Sequence, residues 1–189
     1  MIRKPNKEEI EEIVNLHLAS LKEGALYHLG KNVLKIVYEE ILDDKGSFIL
    51  VYESNKKIAG VAASTKDVKL LFDKVKSKHF SRIVFNVLRS SLINPKLPFR
   101  LLQKYPSKIN SELLFLYVDK SQRGKGIGEL LVNGTSKKFN NMNVREYKIT
   151  ILSSNSRGKK FYERIGFNKI KTYRSLGEER DIYLYKIKK

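Results

Sequence analysis

Between residues 118 and 128 the chain reads Val118-Asp119-Lys120-Ser121-Gln122-Arg123-Gly124-Lys125-Gly126-Ile127-Gly128. Glycines at alternate positions let a backbone turn through φ > 0 and approach a ligand closely. An apolar run precedes this stretch and a helical pattern follows it. Free amides at the start of that helix, and its dipole, converge on one point, and Arg123 and Lys125 add full charges. Such a turn is an anion cradle suited to phosphate. The spacing GxGxG is neither the GxxxxGK[ST] of a P-loop nor the GxGxxG of a dinucleotide fold. A tight strand-to-helix connection without a ligand is the plainer reading of the glycines alone.

The elements that hold this turn follow from hydrophobic spacing. LLFLYVD (113–119) is a continuous apolar run, expected of a strand buried on both faces. ELLVNGTSKKF (129–139) reads as a helix despite Gly134, YKITIL (147–152) as a strand, and 154–166 as a turn, a helix and a glycine stop. Strands at about 167–174 and 180–187 flank a turn at Gly177. Upstream, Asn6 and Glu9 have the spacing of a capping box. Ile10, Ile13, Val14, His17 and Leu21 then recur at helical spacing. Gly24 and Gly30 bracket a linker, and a second helix is expected over 32–42. FILVYE (48–53) and IAGVAAS (58–64) read as a β-hairpin. Phe72, Val75, Phe80, Ile83, Val84, Val87 and Leu88 predict a long basic amphipathic helix, or a broken pair, over 66–93. Pro95, Pro98 and Pro106 mark an irregular segment after it. The order predicts an α/β (α+β) chain with at least one parallel strand pair.

The chain has 189 residues, 41% of them hydrophobic, which is enough for a core. It has no cysteine, so disulfides, thiolate zinc sites and a cysteine nucleophile are excluded. The N-terminus has no apolar signal segment, and no run reaches the length of a membrane span. These features predict a cytoplasmic protein. The net charge is +18. Residues 1–65 carry 9 basic and 10 acidic groups, residues 66–108 carry 11 and 2, and residues 109–189 carry 18 and 8. That field attracts nucleic acid, an anionic membrane surface or a phosphate-bearing cofactor.

The run YVDKSQRGKGIGELLV resembles the acetyl-CoA signature of the GCN5-related N-acetyltransferases (GNAT), Arg/Gln-x-x-Gly-x-Gly/Ala, carried by Arg123, Gly126 and Gly128. A second hallmark follows in order: ITILSSN (149–155), then Phe161-Tyr162-Glu163-Arg164-Ile165-Gly166-Phe167. The resemblance covers about 113–170. It implies a single domain over 1–189 with a splayed mixed central sheet flanked by helices. The basic stretch 66–108 is then a helical insertion between the third and fourth strands. It also implies that acetyl-CoA lies in the splay and that transfer is direct, with no metal. Amides of Leu116, Tyr117 and Val118 would hold the pantetheine arm. Those of Arg123, Gly124, Lys125, Gly126, Ile127 and Gly128 would hold the pyrophosphate, and Asn155 would contact the cosubstrate from the other side. Tyr162 would protonate the leaving thiolate. The other readings are a core aromatic for Tyr162 and a helix N-cap for Asn155.

An ammonium acceptor must lose a proton before attack. Glu112, at the start of the 113–119 strand, is the candidate base, and a solvated strand-end charge is its other reading. Asp119 reads as structural, His17 and His28 as packed or solvated side chains near the acceptor side with a catalytic role as their other reading, and His79 as a surface group. No His, Asp or Glu cluster has metal-ligand spacing. The leading reading is an acetyl-CoA-dependent N-acetyltransferase acting on a primary amine, a small molecule such as an amino sugar. A basic nucleic-acid-binding or regulatory module, using the fold as an acyl-CoA sensor, is the alternative. Peripheral membrane contact through 66–93 is a third reading, compatible with the enzyme, and the splayed edge strands suit a homodimer.

Overall fold

The computed structural model describes residues 1–21, 27, 29–91, 107–175 and 177–188. Of the expected features, Gly24, His28 and the irregular segment with Pro95, Pro98 and Pro106 lie outside the described residues. The chain forms β1 (Ile2–Arg3), α1 (Ile10–Ser20), α2 (Lys31–Asp43), β2 (Ser47–Ser54), β3 (Lys57–Thr65) and α3 (Val68–Ser91). After the undescribed stretch come β4 (Glu112–Val118), a 3₁₀ turn at Lys120–Gln122, α4 (Ile127–Asn141) and β5 (Glu146–Leu152). The remaining elements are α5 (Ser156–Arg164), β6 (Asn168–Ser175) and β7 (Glu178–Lys186). The strands make one seven-stranded mixed sheet in the order β1-β2-β3-β4-β5-β7-β6. This is an α+β fold.

The capping box is present. The Asn6 N–H donates to the Glu9 carboxylate at 2.8 Å, and the Glu9 N–H donates to Asn6 Oδ1 at 3.0 Å. The Glu9 carboxylate also takes two bonds from the Arg3 guanidinium, which fixes the entry to α1 against β1. The basic helix is continuous except at His79, whose φ of −124° and ψ of 24° break it.

Both faces of the sheet are covered, and strand alternation sends neighbouring side chains to different cores. Ile49, Val51, Val61, Ala63 and Tyr117 pack under α1, α2 and α3 with Ile13, Val14, Leu34, Val37, Tyr38 and Leu71. Phe48, Ala62, Leu113, Tyr147, Ile149 and Tyr183 pack under α4 with Ile127, Leu131 and Phe139. The glycine inside α4 has a packing reason. A Cβ at Gly134 would sit 3.1 Å from the Leu50 side chain of β2, so the helix lies closer to the sheet than alanine would allow.

One strand departs from its expected burial. Leu114, Phe115, Leu116 and Val118 of β4 are half-buried rather than enclosed. The reason is the pairing of β4 with β5, the one parallel pair described, which has a single bridge, Glu112 with Lys148. Beyond that bridge the two strands diverge.

Candidate functional site

The divergence of β4 from β5 begins with an irregularity on the other edge of β4. Its antiparallel pairing with β3 runs from Gly60/Val118 to Ala63/Phe115 and resumes at Ser64/Leu113. Leu114 therefore has no residue opposite it, which is a β-bulge. The ladder also fixes which backbone groups are free. The Asp119 N–H donates to the Ala59 carbonyl at 2.8 Å, and alternate residues of an antiparallel strand bond to the same neighbour. Phe115, Tyr117 and Asp119 thus bond to β3, while Leu116 and Val118 aim their N–H and C=O toward the gap. The Val118 carbonyl accepts from Arg123 Nε at 3.1 Å, which agrees with this direction. Of the three amides expected to hold the pantetheine arm, those of Leu116 and Val118 face the gap, and that of Tyr117 faces β3 in this register. The Tyr117 side chain is also buried on the α1 side of the sheet.

At the end of β4 the Asp119 carboxylate accepts from the Ser121 N–H and hydroxyl, at 2.8 and 2.5 Å. Those bonds hold its pKa below the usual carboxylate range and make it a turn-former, as expected. The chain then swings through Gly124 and Gly126, with φ of 84° and 75°. No side chain caps α4. The Leu130 N–H reaches back to the Gly126 carbonyl at 3.1 Å. The amides of Gly124 through Glu129 have no hydrogen-bond partner among the described residues. They form a set of donors at the positive end of a 15-residue helix, next to exposed Arg123 and Lys125. Gly128 serves packing instead of torsion: a Cβ there would lie 3.2 Å from the Phe161 ring. This close contact seats α5 beside the first turn of α4.

Asn155 caps α5 by accepting from the Gly158 N–H at 2.9 Å through Oδ1. Its amide nitrogen makes no hydrogen bond among the described residues, so capping and ligand contact are compatible. Tyr162 is half-buried, with ring centroids 5.1 Å from Phe161 and 5.2 Å from Phe167. Burial raises its pKa well above that of an exposed phenol. Its hydroxyl bonds to none of the described residues.

Glu112 lies at the apex of the gap and is buried. Its carboxylate accepts from the Thr150 hydroxyl at 3.0 Å and stands 3.7 Å from the Lys148 ammonium. Lys148 is also buried; burial lowers its pKa, opposed by the adjacent carboxylate. Lys148 and Thr150 share one face of β5, whereas Ile149 and Ile151 face the core that includes Tyr162. Alternation therefore places Glu112 and Tyr162 on opposite faces of the sheet, on either side of the gap.

Lys148 was missed from the sequence, although a lysine inside the apolar run YKITIL was the visible signal. His17 is buried, and its ring nitrogen Nδ1 is 2.8 Å from the Tyr38 hydroxyl. The Tyr38 hydroxyl is 3.0 Å from that of Tyr117, which donates to the Ile13 carbonyl at 3.0 Å. Since Tyr117 spends its proton on Ile13, Tyr38 donates to Tyr117 and His17 donates to Tyr38. Burial lowers the His17 pKa to about 4. This neutral chain ties α1 and α2 to the splayed half of β4. His79, expected on the surface, sits partly buried 3.8 Å from the Glu40 carboxylate. No cluster of three metal-ligating side chains occurs among the described residues. A cavity of about 830 Å³ opens at the strand starts, the far end of the sheet from the cradle. Ion pairs such as Lys74–Asp44 and Lys78–Glu40, both 2.7 Å, consume much of its charge.

Residues 107–181, which span β4, the cradle, α5 and most of the last two strands, match the acetyltransferase (GNAT) domain family. No curated protein matches the chain. Among solved structures, an N-acetyltransferase from Staphylococcus aureus Mu50 is 18% identical with a TM-score of 0.65, over 100% of this chain and 98% of that one. The Salmonella typhimurium protein yncA, solved with acetyl-CoA, is 14% identical with a TM-score of 0.65, over 100% and 94%. The PaiA N-acetyltransferase of Thermoplasma acidophilum, in complex with coenzyme A, is 17% identical with a TM-score of 0.65, over 98% of each chain. At these identities the structures share the fold with this chain. The sequence match covers the splayed strand, the cradle and the flanking helix, so residues 107–181 are similar to the acetyltransferase (GNAT) domain and the chain as a whole shares the fold of these acetyltransferase structures.

Proposed function

We propose that the chain transfers an acetyl group from acetyl-CoA directly to a primary amine, working as one domain in the cytoplasm. The observation that carries this reading is the continuity of two sets of backbone groups that no strand or helix pairing consumes. The N–H and C=O of Leu116 and Val118 face the gap, and the gap leads to the unpaired amides at the start of α4.

Acetyl-CoA supplies an activated acyl thioester. The amides from Gly124 to Glu129 bind its pyrophosphate, with Arg123 and Lys125 adding charge. Leu116 and Val118 hydrogen-bond the pantetheine amides as a neighbouring strand would, and the Asn155 amide nitrogen contacts the arm from the α5 side. Glu112, on the other face of the sheet, takes the proton of the acceptor ammonium. Tyr162 gives its proton to the departing thiolate. Burial keeps the phenol protonated at neutral pH, as a proton donor must be. Placing base and acid on opposite faces lets the acceptor enter from one side and the cosubstrate from the other.

The acceptor is a small amine such as an amino sugar. The test is release of CoA thiol from acetyl-CoA across nucleotide-linked amino sugars, polyamines, amino acids and basic peptides. Turnover with a small amine is expected. Turnover with peptides alone would move the acceptor to protein. Binding of acetyl-CoA with no turnover on any amine would favour an acyl-CoA sensor instead.

A further inference from the structure

The basic helix α3 has two unlike faces. Val68, Leu71 and Val75 are buried, and Phe72 and Ile83 pack against the same core. After the break at His79 the outer side is apolar and open: Phe80 is 69% exposed, Val84 37% and Phe85 66%. At about 100° per residue these three side chains span an arc of roughly 140°. Lys76 and Arg82 beside them are exposed and have no ion-pair partner among the described residues. The surrounding segment, 66–108, carries 11 basic and 2 acidic groups. Three large apolar side chains exposed within six residues are more than the scattered singles of an ordinary surface.

The charge selects the occupant. A second copy of the chain would bring another strongly cationic face against this one, and like charges repel. A nucleic acid would satisfy the cations and could stack on a phenylalanine, but it offers nothing to Val84. An anionic lipid surface satisfies both features, with apolar side chains below the headgroups and ammonium and guanidinium groups among the phosphates. We propose that residues 80–86 of α3 dock the protein, in the plane of the surface, on a membrane containing anionic lipid. No helix among the described residues is long and apolar enough to cross a membrane, so the contact is peripheral. The proposal does not depend on the acetyl-transfer reading.

The test is vesicle flotation with the full chain, comparing phosphatidylglycerol-containing with pure phosphatidylcholine vesicles at low and high salt. The wild-type protein should float with the anionic vesicles only, and less at high salt. The variant F80S/F85S removes two solvent-exposed rings and should keep the circular dichroism spectrum of the wild type. Its partition onto anionic vesicles should fall about tenfold or more. Equal flotation of variant and wild type would reduce the effect to charge alone and overturn the proposal, as would no flotation at all. Without flotation, a dimer that the variant loses would assign the face to a second copy. A single-stranded oligonucleotide whose binding the variant loses would assign it to nucleic acid.

Discussion

Tyr162→Phe separates chemistry from packing more cleanly than other substitutions in the site. The hydroxyl has no hydrogen-bond partner among the described residues, so its removal breaks no internal bond there. The ring contacts with Phe161 and Phe167, at 5.1 and 5.2 Å, persist in phenylalanine. Stability should change by less than about 0.5 kcal/mol, a melting shift under about 2 °C for a chain of this size. An acid positioned at the leaving group contributes about 10²–10⁴-fold, which is about 3–5 kcal/mol of barrier. The assay is steady-state release of CoA thiol, with acetyl-CoA affinity measured separately by equilibrium binding. The expected result is a kcat lower by at least about a hundredfold, with affinity and melting temperature nearly unchanged. An unchanged kcat would refute the acid assignment. A fall matched by lost binding, or by a melting shift of several degrees, would show that the tyrosine is a packing residue.

Two further outcomes follow from buried groups. Glu112→Gln should lower kcat about a hundredfold at neutral pH while acetyl-CoA binding holds; the defect should shrink as pH approaches the acceptor's own pKa, where the amine no longer needs a base. A defect independent of pH would remove Glu112 from proton transfer. His17 is neutral in the fold down to about pH 4, but in the unfolded chain it gains a proton near its ordinary value of about 6.5. The unfolded state therefore binds more protons in that window, and stability falls as pH drops from about 6.5 to about 4. The loss is about 3 kcal/mol for a shift of this size. Denaturant titrations should show this extra acid loss in the wild type and its absence in His17→Gln; parallel pH dependences in the two proteins would refute it.

Sequence alone determined the local elements and the glycine turn that forms the cradle. The capping box at Asn6 and Glu9, the hairpin over 48–64, the basic helix and the glycine turn into α4 depend on neighbours a few residues away. Helical and strand periodicity records such relations directly. Only the tertiary structure decided which atoms of the site are free. The bulge at Leu114, the single Glu112/Lys148 bridge and the assignment of the Tyr117 amide to β3 are matters of register between strands distant in sequence. No local pattern encodes them. The same holds for Glu112 beside Lys148 and Thr150, and for the chain from His17 through Tyr38 to Tyr117. A carboxylate or an imidazole shows its type in the sequence, but its burial and its partners come from the strands and helices that close around it.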